Sequence, residues 1–163
     1  MTEDPLGLSL HQPGLQVPRP LLVGWQEYVD FPNWKIRHVR TKVDTGAQTS
    51  ALGALKYDVM NPGGRGLWMR MWLALYPKHP DRIAVIEVPV LHMVVVANSG
   101  GFREERPLIE TQIHLGPIRK LIRLTVTNRS AMRFRMILGR QALTDDFVVD
   151  VSKKYLLRQR TKG

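Results

Sequence analysis

Leu67, Met69, Met71, Leu73 and Leu75 occupy every second position of one short stretch, with Trp68, Arg70 and Trp72 between them. A repeat of two puts all the apolar side chains on one face of an extended chain, which a helix, with its repeat of about 3.6, cannot do. The stretch is therefore a strand with one buried face. Its neighbours follow the same pattern. Leu21-Leu22-Val23-Gly24-Trp25 and Tyr28-Val29 read as strand, interrupted at Phe31-Pro32-Asn33, and Ile36, Val39 and Val43 mark a second strand that ends at Asp44. Residues 83–97 are rich in β-branched side chains and lead into Asn98-Ser99-Gly100-Gly101, after which 107–115 is again strand-like. Two long strands around such a tip predict a β-hairpin. Gly116-Pro117 makes a second turn before a strand over 121–127. Met136-Ile137-Leu138 is a short apolar run stopped by Gly139, and 140–143 starts a short helix. Phe147-Val148-Val149 and Tyr155-Leu156-Leu157 read as closing strands around Ser152-Lys153. With no internal repeat, the pattern predicts an all-β domain, a small closed or nearly closed sheet with one short helix.

A chain of 163 residues, 44% of them hydrophobic, holds one domain with a real core. Residues 1–20 carry four prolines and two glycines without periodicity and read as a flexible or extended arm. The domain is expected over 21–158, followed by a basic tail at 159–163. No apolar run is long enough to span a membrane, and the first residues lack the basic-then-apolar pattern of a signal peptide. There is no cysteine, which excludes disulfides, thiolate catalysis and cysteine zinc sites, and fits a reducing, cytoplasmic setting without a membrane partner. The formal charge is +10 and unevenly placed: 111–144 contains no Asp or Glu but holds Arg119, Lys120, Arg123, Arg129, Arg133, Arg135 and Arg140. Such a field favours anionic partners.

The stretch Val43-Asp44-Thr45-Gly46-Ala47 carries chemistry. An Asp leaving a strand on a tight loop can point its carboxylate into a cleft. Gly46 permits a close backbone approach that a side chain would block, and Thr45 supplies a hydroxyl for bonding across to a partner loop. Two such carboxylates within a few ångströms cannot both ionise cheaply, so they share a proton and titrate as a unit. The ionised member takes a proton from water while the protonated one polarises a carbonyl. Downstream, the hairpin tip Asn98, Ser99, Gly100 and Gly101 stands where a flap would cover a substrate, and Ile137-Leu138-Gly139 precedes the short helix. His11, His38, His79, His92 and His114 are scattered without ligand spacing, and neither His-Glu-x-x-His nor a Gly-rich nucleotide loop is present. The sequence thus predicts no metal, no ATP and no other cofactor.

The order of Asp loop, flap, apolar-Gly, helix and terminal strand resembles the retropepsins, single-domain aspartic peptidases. The resemblance is closer still to a bacterial branch, the RimB-like peptidases, often labelled "ATP-dependent zinc protease". It rests on Val23-Gly24-Trp25, on Lys42-Val43-Asp44-Thr45-Gly46-Ala47-Gln48-Thr49-Ser50-Ala51-Leu52 and on Ser99-Gly100-Gly101 with Glu105-Arg106-Pro107. Leu124-Thr125-Val126-Thr127-Asn128-Arg129 and Phe134-Arg135-Met136-Ile137-Leu138-Gly139-Arg140 complete it. Many relatives carry His where this chain has Gly53. The resemblance implies a closed barrel with a flap hairpin and a homodimeric active site. Only one Asp-Thr-Gly occurs, since Asp145-Asp146 lacks the Gly, so the second carboxylate must come from a symmetry-related copy. RimB-like peptidases are associated with RimK, a ligase that adds glutamates to the C-terminus of a ribosomal protein, which implies trimming of such tails. The basic excess independently points to acidic peptides. Candidate carboxylate binders are Lys42, Arg70, Arg103, Arg106, Arg129, Arg133 and Arg135, with Arg106 and Arg129 favoured. A rival reading is a non-enzymatic basic β-barrel that binds RNA or the ribosome, with Trp25, Trp34, Trp68 and Trp72 as stacking platforms.

Overall fold

A computed structural model describes residues 20–97, 100–128 and 133–157. The arm up to residue 19, the tail beyond 157, Asn98, Ser99 and Arg129 lie outside the described residues. Twelve strands and one short helix follow in order: β1 (Leu21–Gly24), β2 (Gln26–Phe31), β3 (Ile36–Val43), β4 (Ser50–Ala54), β5 (Lys56–Met60), β6 (Trp68–Leu73), β7 (Ala84–Pro89), β8 (His92–Ala97), β9 (Arg103–Leu115), β10 (Ile118–Asn128), β11 (Met136–Leu138), α1 (Arg140–Leu143) and β12 (Phe147–Asp150). Strands β10, β4, β11, β3, β2 and β9 hydrogen-bond in that order, and β9 pairs back onto β10, so the sheet closes into a barrel. The expected all-β fold with one short helix is what forms.

Hydrophobic alternation explains most of this. Met69, Met71 and Leu73 are buried while Trp68 is 40% exposed, as the period of two requires. β6 does not join the barrel but sits between β5 and β7 in a three-stranded side sheet, whose buried face continues into the barrel core. In β3 the alternation skips from Ile36 to Val39, and the skip is a bulge. The register against β2 shifts between Val29 and Phe31, His38 takes φ 58°, and its N–H is donated to Asp30 Oδ1 at 2.8 Å.

Two expectations need correction. The 83–97 run is not one strand: β7 pairs with β6, whereas β8 pairs with β9. The chain changes sheets at Val90 and Leu91, whose N–H groups go to Leu67 and Leu108 carbonyls respectively. Pro89, with no N–H for a ladder, stands at the break. The hairpin is real and longer than expected on its return side, since β9 begins at Arg103 and pairs from Ala97↔Arg103 to His92↔Leu108.

The second correction concerns Tyr155-Leu156-Leu157, which is not a strand. Tyr155 takes φ 54° and donates its N–H to the Gln26 carbonyl at 2.8 Å. Leu156 and Leu157 donate theirs to the carboxylate of Glu27, at 3.1 and 3.2 Å, and Gly24 adds a third bond at 3.1 Å. Glu27 is 1% exposed. Burial pushes its carboxyl above the ordinary range, against the pull of the three N–H groups. Together with the Tyr155–Gln26 bond, this side chain fixes the last described segment to β2. Glu27→Ala should therefore lower stability by about 2 kcal/mol or more, because it orphans buried donors. The denaturation midpoint reads the effect, and a shift near zero would mean that the segment is held by something else.

Candidate active site

The elements around Asp44 hold it from both sides. The N–H of Val43 bonds to the Trp25 carbonyl at 2.8 Å, and that of Asp44 to the Leu138 carbonyl at 2.9 Å. The strand is thus anchored up to the residue that leaves it. Asp44 Oδ1 then accepts the Gly46 N–H at 2.9 Å, and the Asp44 carbonyl accepts the Ala47 N–H at 3.2 Å. The result is a tight Asx turn that fixes the carboxylate over its own loop. Asp44 is half-buried, while Thr45 and Gly46 are exposed.

The close backbone approach expected at Gly46 falls elsewhere within the chain. A Cβ on Gly46 would lie 3.1 Å from Asp44 Oδ1, whereas one on Gly139 would lie 2.7 and 2.8 Å from the Thr49 carbonyl carbon and oxygen, and 3.0 Å from the Ala47 oxygen. The segment from Gly139 clasps the loop at further points. Gly139 donates its N–H to Ser50 Oγ at 3.1 Å, Arg140 to the Ala47 carbonyl at 2.8 Å, and Gln141 to the Gln48 carbonyl at 3.0 Å. Arg140 Nη1 reaches the Thr45 carbonyl at 3.0 Å. Sequence reading gave Arg140 no role. Its position directly after the apolar-Gly element was the available signal. Asp146, of the second acidic pair, accepts a bond from Lys120 Nζ at 2.7 Å.

The arginines expected to bind carboxylates are not all brought together. Arg103 and Arg106 lie on β9, the returning strand of the flap. Arg133 and Arg135 flank Phe134 in the segment entering β11, and Lys42 is exposed on β3. The Arg133 carbonyl accepts a bond from Arg40 at 3.4 Å, and the Arg135 carbonyl accepts the Gly53 N–H at 2.6 Å. Gly53 is buried in β4 opposite Thr127 of β10. Arg70 stands apart, on the outer face of the side sheet, with Nε 2.6 Å from Glu87 Oε1. Gly100 and Gly101 are exposed at the flap tip, where Gly101 takes φ 82°. Among the described residues no group of three or more His, Asp or Glu is placed to hold a metal ion.

A closed β-barrel, a flap hairpin and an Asp-Thr-Gly loop locked by a Gly-Arg corner define a retropepsin-like aspartic peptidase domain. The comparisons agree. A family model described as "Retropepsin-like aspartic endopeptidase RimB" matches residues 22–160, and the chain belongs to this RimB-like family. Two curated relatives carry the name "Probable alpha-L-glutamate ligase". The one from Desulfotalea psychrophila is 32% identical over 86% of this chain and 30% of its own length. The one from Parasynechococcus marenigrum is 37% identical over 81% of this chain and 28% of its own. The chain therefore spans less than a third of the length of these curated relatives. A solved Legionella pneumophila protein of unknown function shares the fold, with a TM-score of 0.68 at 21% identity, covering 83% of this chain and 97% of that one.

Arg140→Ala removes the side-chain tie on the Thr45 carbonyl and leaves the backbone bonds. The fold should persist with an unchanged denaturation midpoint, while kcat falls about tenfold or more as the loop loses its geometry. Unchanged kcat would remove Arg140 from the site.

Proposed function

We propose that two copies of this chain form the working peptidase, with Asp44 of each meeting on a two-fold axis. The observation that carries this reading is the Asp44 loop itself. It is fully tied on its inner side, yet its Thr45 and Gly46 are open to solvent, and each chain has one such loop. The paired carboxylates share one proton. The ionised one draws a proton from a water held between them, the water attacks the scissile carbonyl, and the protonated one stabilises the developing oxygen charge. The substrate lies extended between the loops and the flaps, pairing through its backbone. Strands β1 and β12 support self-association: Leu22 and Val148 are register partners, 42% and 48% exposed, and Val151 beyond them is 79% exposed.

For the substrate, the reading is an acidic C-terminal tail, such as the glutamates that RimK adds to a ribosomal protein. This places the reaction in the cytoplasm and makes that ligase a functional partner. Three things support it. The net charge is +10, two candidate arginines lie on the flap strand and two on the segment before β11, and the matching curated relatives bear the name of a glutamate ligase. The RNA-binding alternative loses ground because three of the four indoles are occupied. Trp34 stacks on Phe31 at 4.7 Å, Trp25 meets Phe134 edge-on at 6.2 Å, and Lys56 covers Trp72 at 4.1 Å.

Incubation with glutamate-tailed and untailed peptides, read by mass spectrometry, tests this reading. Tailed peptides should be shortened, Asp44→Asn should slow this at least about 100-fold, and EDTA should have no effect. Wild-type rates in Asp44→Asn would remove Asp44 from catalysis. Loss of activity with EDTA and recovery with zinc would overturn the metal-free mechanism.

A further inference from the structure

Strands β9 and β10 pair from Leu115↔Ile118 up to Leu108↔Thr125 and then part. Beyond the fork, residues 103–107 pair with β8 as the flap, while Val126, Thr127 and Asn128 stay with β4 in the barrel wall. One carboxylate spans the fork. Glu104 Oε1 accepts the Thr127 hydroxyl at 2.8 Å, and Glu104 Oε2 accepts both Nε and Nη2 of Arg106, each at 2.9 Å. Tyr57 of β5 lies close enough to feel both charges: burial first, and then Glu104, push its phenol up, while Arg106 pulls it down.

This pair differs from two other arginine–glutamate pairs among the described residues. Arg70 with Glu87 and Arg123 with Glu110 are pairs between strands with the arginine 46% and 59% exposed. Arg106 is 14% exposed and pairs along its own strand, while Glu104 is 44% exposed. A largely covered guanidinium with a more open carboxylate on its fork is the arrangement that a bound acidic side chain would create. Arg106 has five donors, and Glu104 uses two of them.

We propose that Glu104 is a resident competitor in an acidic-residue subsite built on Arg106, held there by Thr127, which a glutamate side chain of the substrate displaces. The proposal rests on the acidic-tail reading above and deepens it. Glu104 and the incoming carboxylate cannot both sit on one edge of the guanidinium without repulsion, so a single stray carboxylate is disfavoured against the intramolecular one. A run of glutamates, which returns to the site repeatedly at high local concentration, overcomes it. Displacing Glu104 also breaks the Thr127 bond across the fork, so acidic substrate frees the flap to move.

Binding to dimers that carry Asp44→Asn tests this without turnover, with a fluorescent peptide bearing five C-terminal glutamates and its untailed counterpart as probes. Glu104→Gln should tighten binding of the tailed peptide about tenfold relative to the untailed one. Thr127→Val, which removes only the hold on Glu104, should shift it the same way by about two- to threefold, and keeps the test open if the first variant does not fold. In otherwise wild-type protein the same changes should appear as a lower KM for the tailed peptide. Unchanged or weaker tailed-peptide binding in Glu104→Gln overturns the competitor role even where wild type prefers tailed peptides and the acidic-tail reading stands. If no protein distinguishes tailed from untailed peptide, the acidic-tail reading fails and takes this proposal with it.

Discussion

The backbone at Gly139 runs against the carbonyl groups of Ala47 and Thr49 so closely that no side chain fits between them. The two segments are far apart in sequence, and this contact joins the end of β11 to the loop after β3. From it follow the bonds from Gly139, Arg140 and Gln141 that set the shape of the Asp44 turn. An alanine at Gly139 would push the loop outward by the width of a methyl group, and the catalysis proposed for Asp44 would tolerate little such displacement. The barrel is the frame that makes this approach reproducible. β11 lies between β3 and β4, parallel to the first and antiparallel to the second, so both ends of the Asp loop are strands bonded to the strand that delivers Gly139.

The same frame separates rigid from movable parts. The Asp loop is backed by a buried core, whereas β8 and the start of β9 project from it with Val95 65% exposed and Phe102 76% exposed. A flap that buries little apolar surface against its own barrel belongs to the low-stability end of a fold, and closing lids are drawn from that end. The Glu104–Thr127 bond is a side-chain tie between these two regimes, at the point where the backbone pairing of β9 and β10 stops.

Local signals were legible in the sequence, and pairings between distant segments were not. The Asp44 loop, the Gly116-Pro117 turn and the alternation through Met69, Met71 and Leu73 are written within a few residues each, and all three form. β4 is hidden because Ala51, Leu52, Gly53 and Ala54 are all buried, which erases alternation, and because Ala and Gly have little strand preference, while β5 has no buried residue to mark a face. The β7–β8 division is marked in the sequence by Pro89 alone, within a run that is rich in β-branched side chains on both sides of it. Tyr155-Leu156-Leu157 is apolar enough for a strand, but the group that determines its path is Glu27, on the other side of the chain. The arginines show the same limit. A list of cations cannot reveal that Arg70 is held by Glu87 on the neighbouring strand, or that Arg106 is only 14% exposed where it meets Glu104, since cross-strand pairing and burial depend on how strands lie together.

The central claim is that one active site needs an aspartate from each of two chains. Mixing wild-type and Asp44→Asn subunits at fixed total concentration, with exchange allowed to reach equilibrium, measures this directly. If a mixed pair is inactive, peptide hydrolysis falls as the square of the wild-type fraction. A fall in simple proportion to that fraction would mean that each chain works with its own carboxylate alone, and the shared-proton account would be wrong.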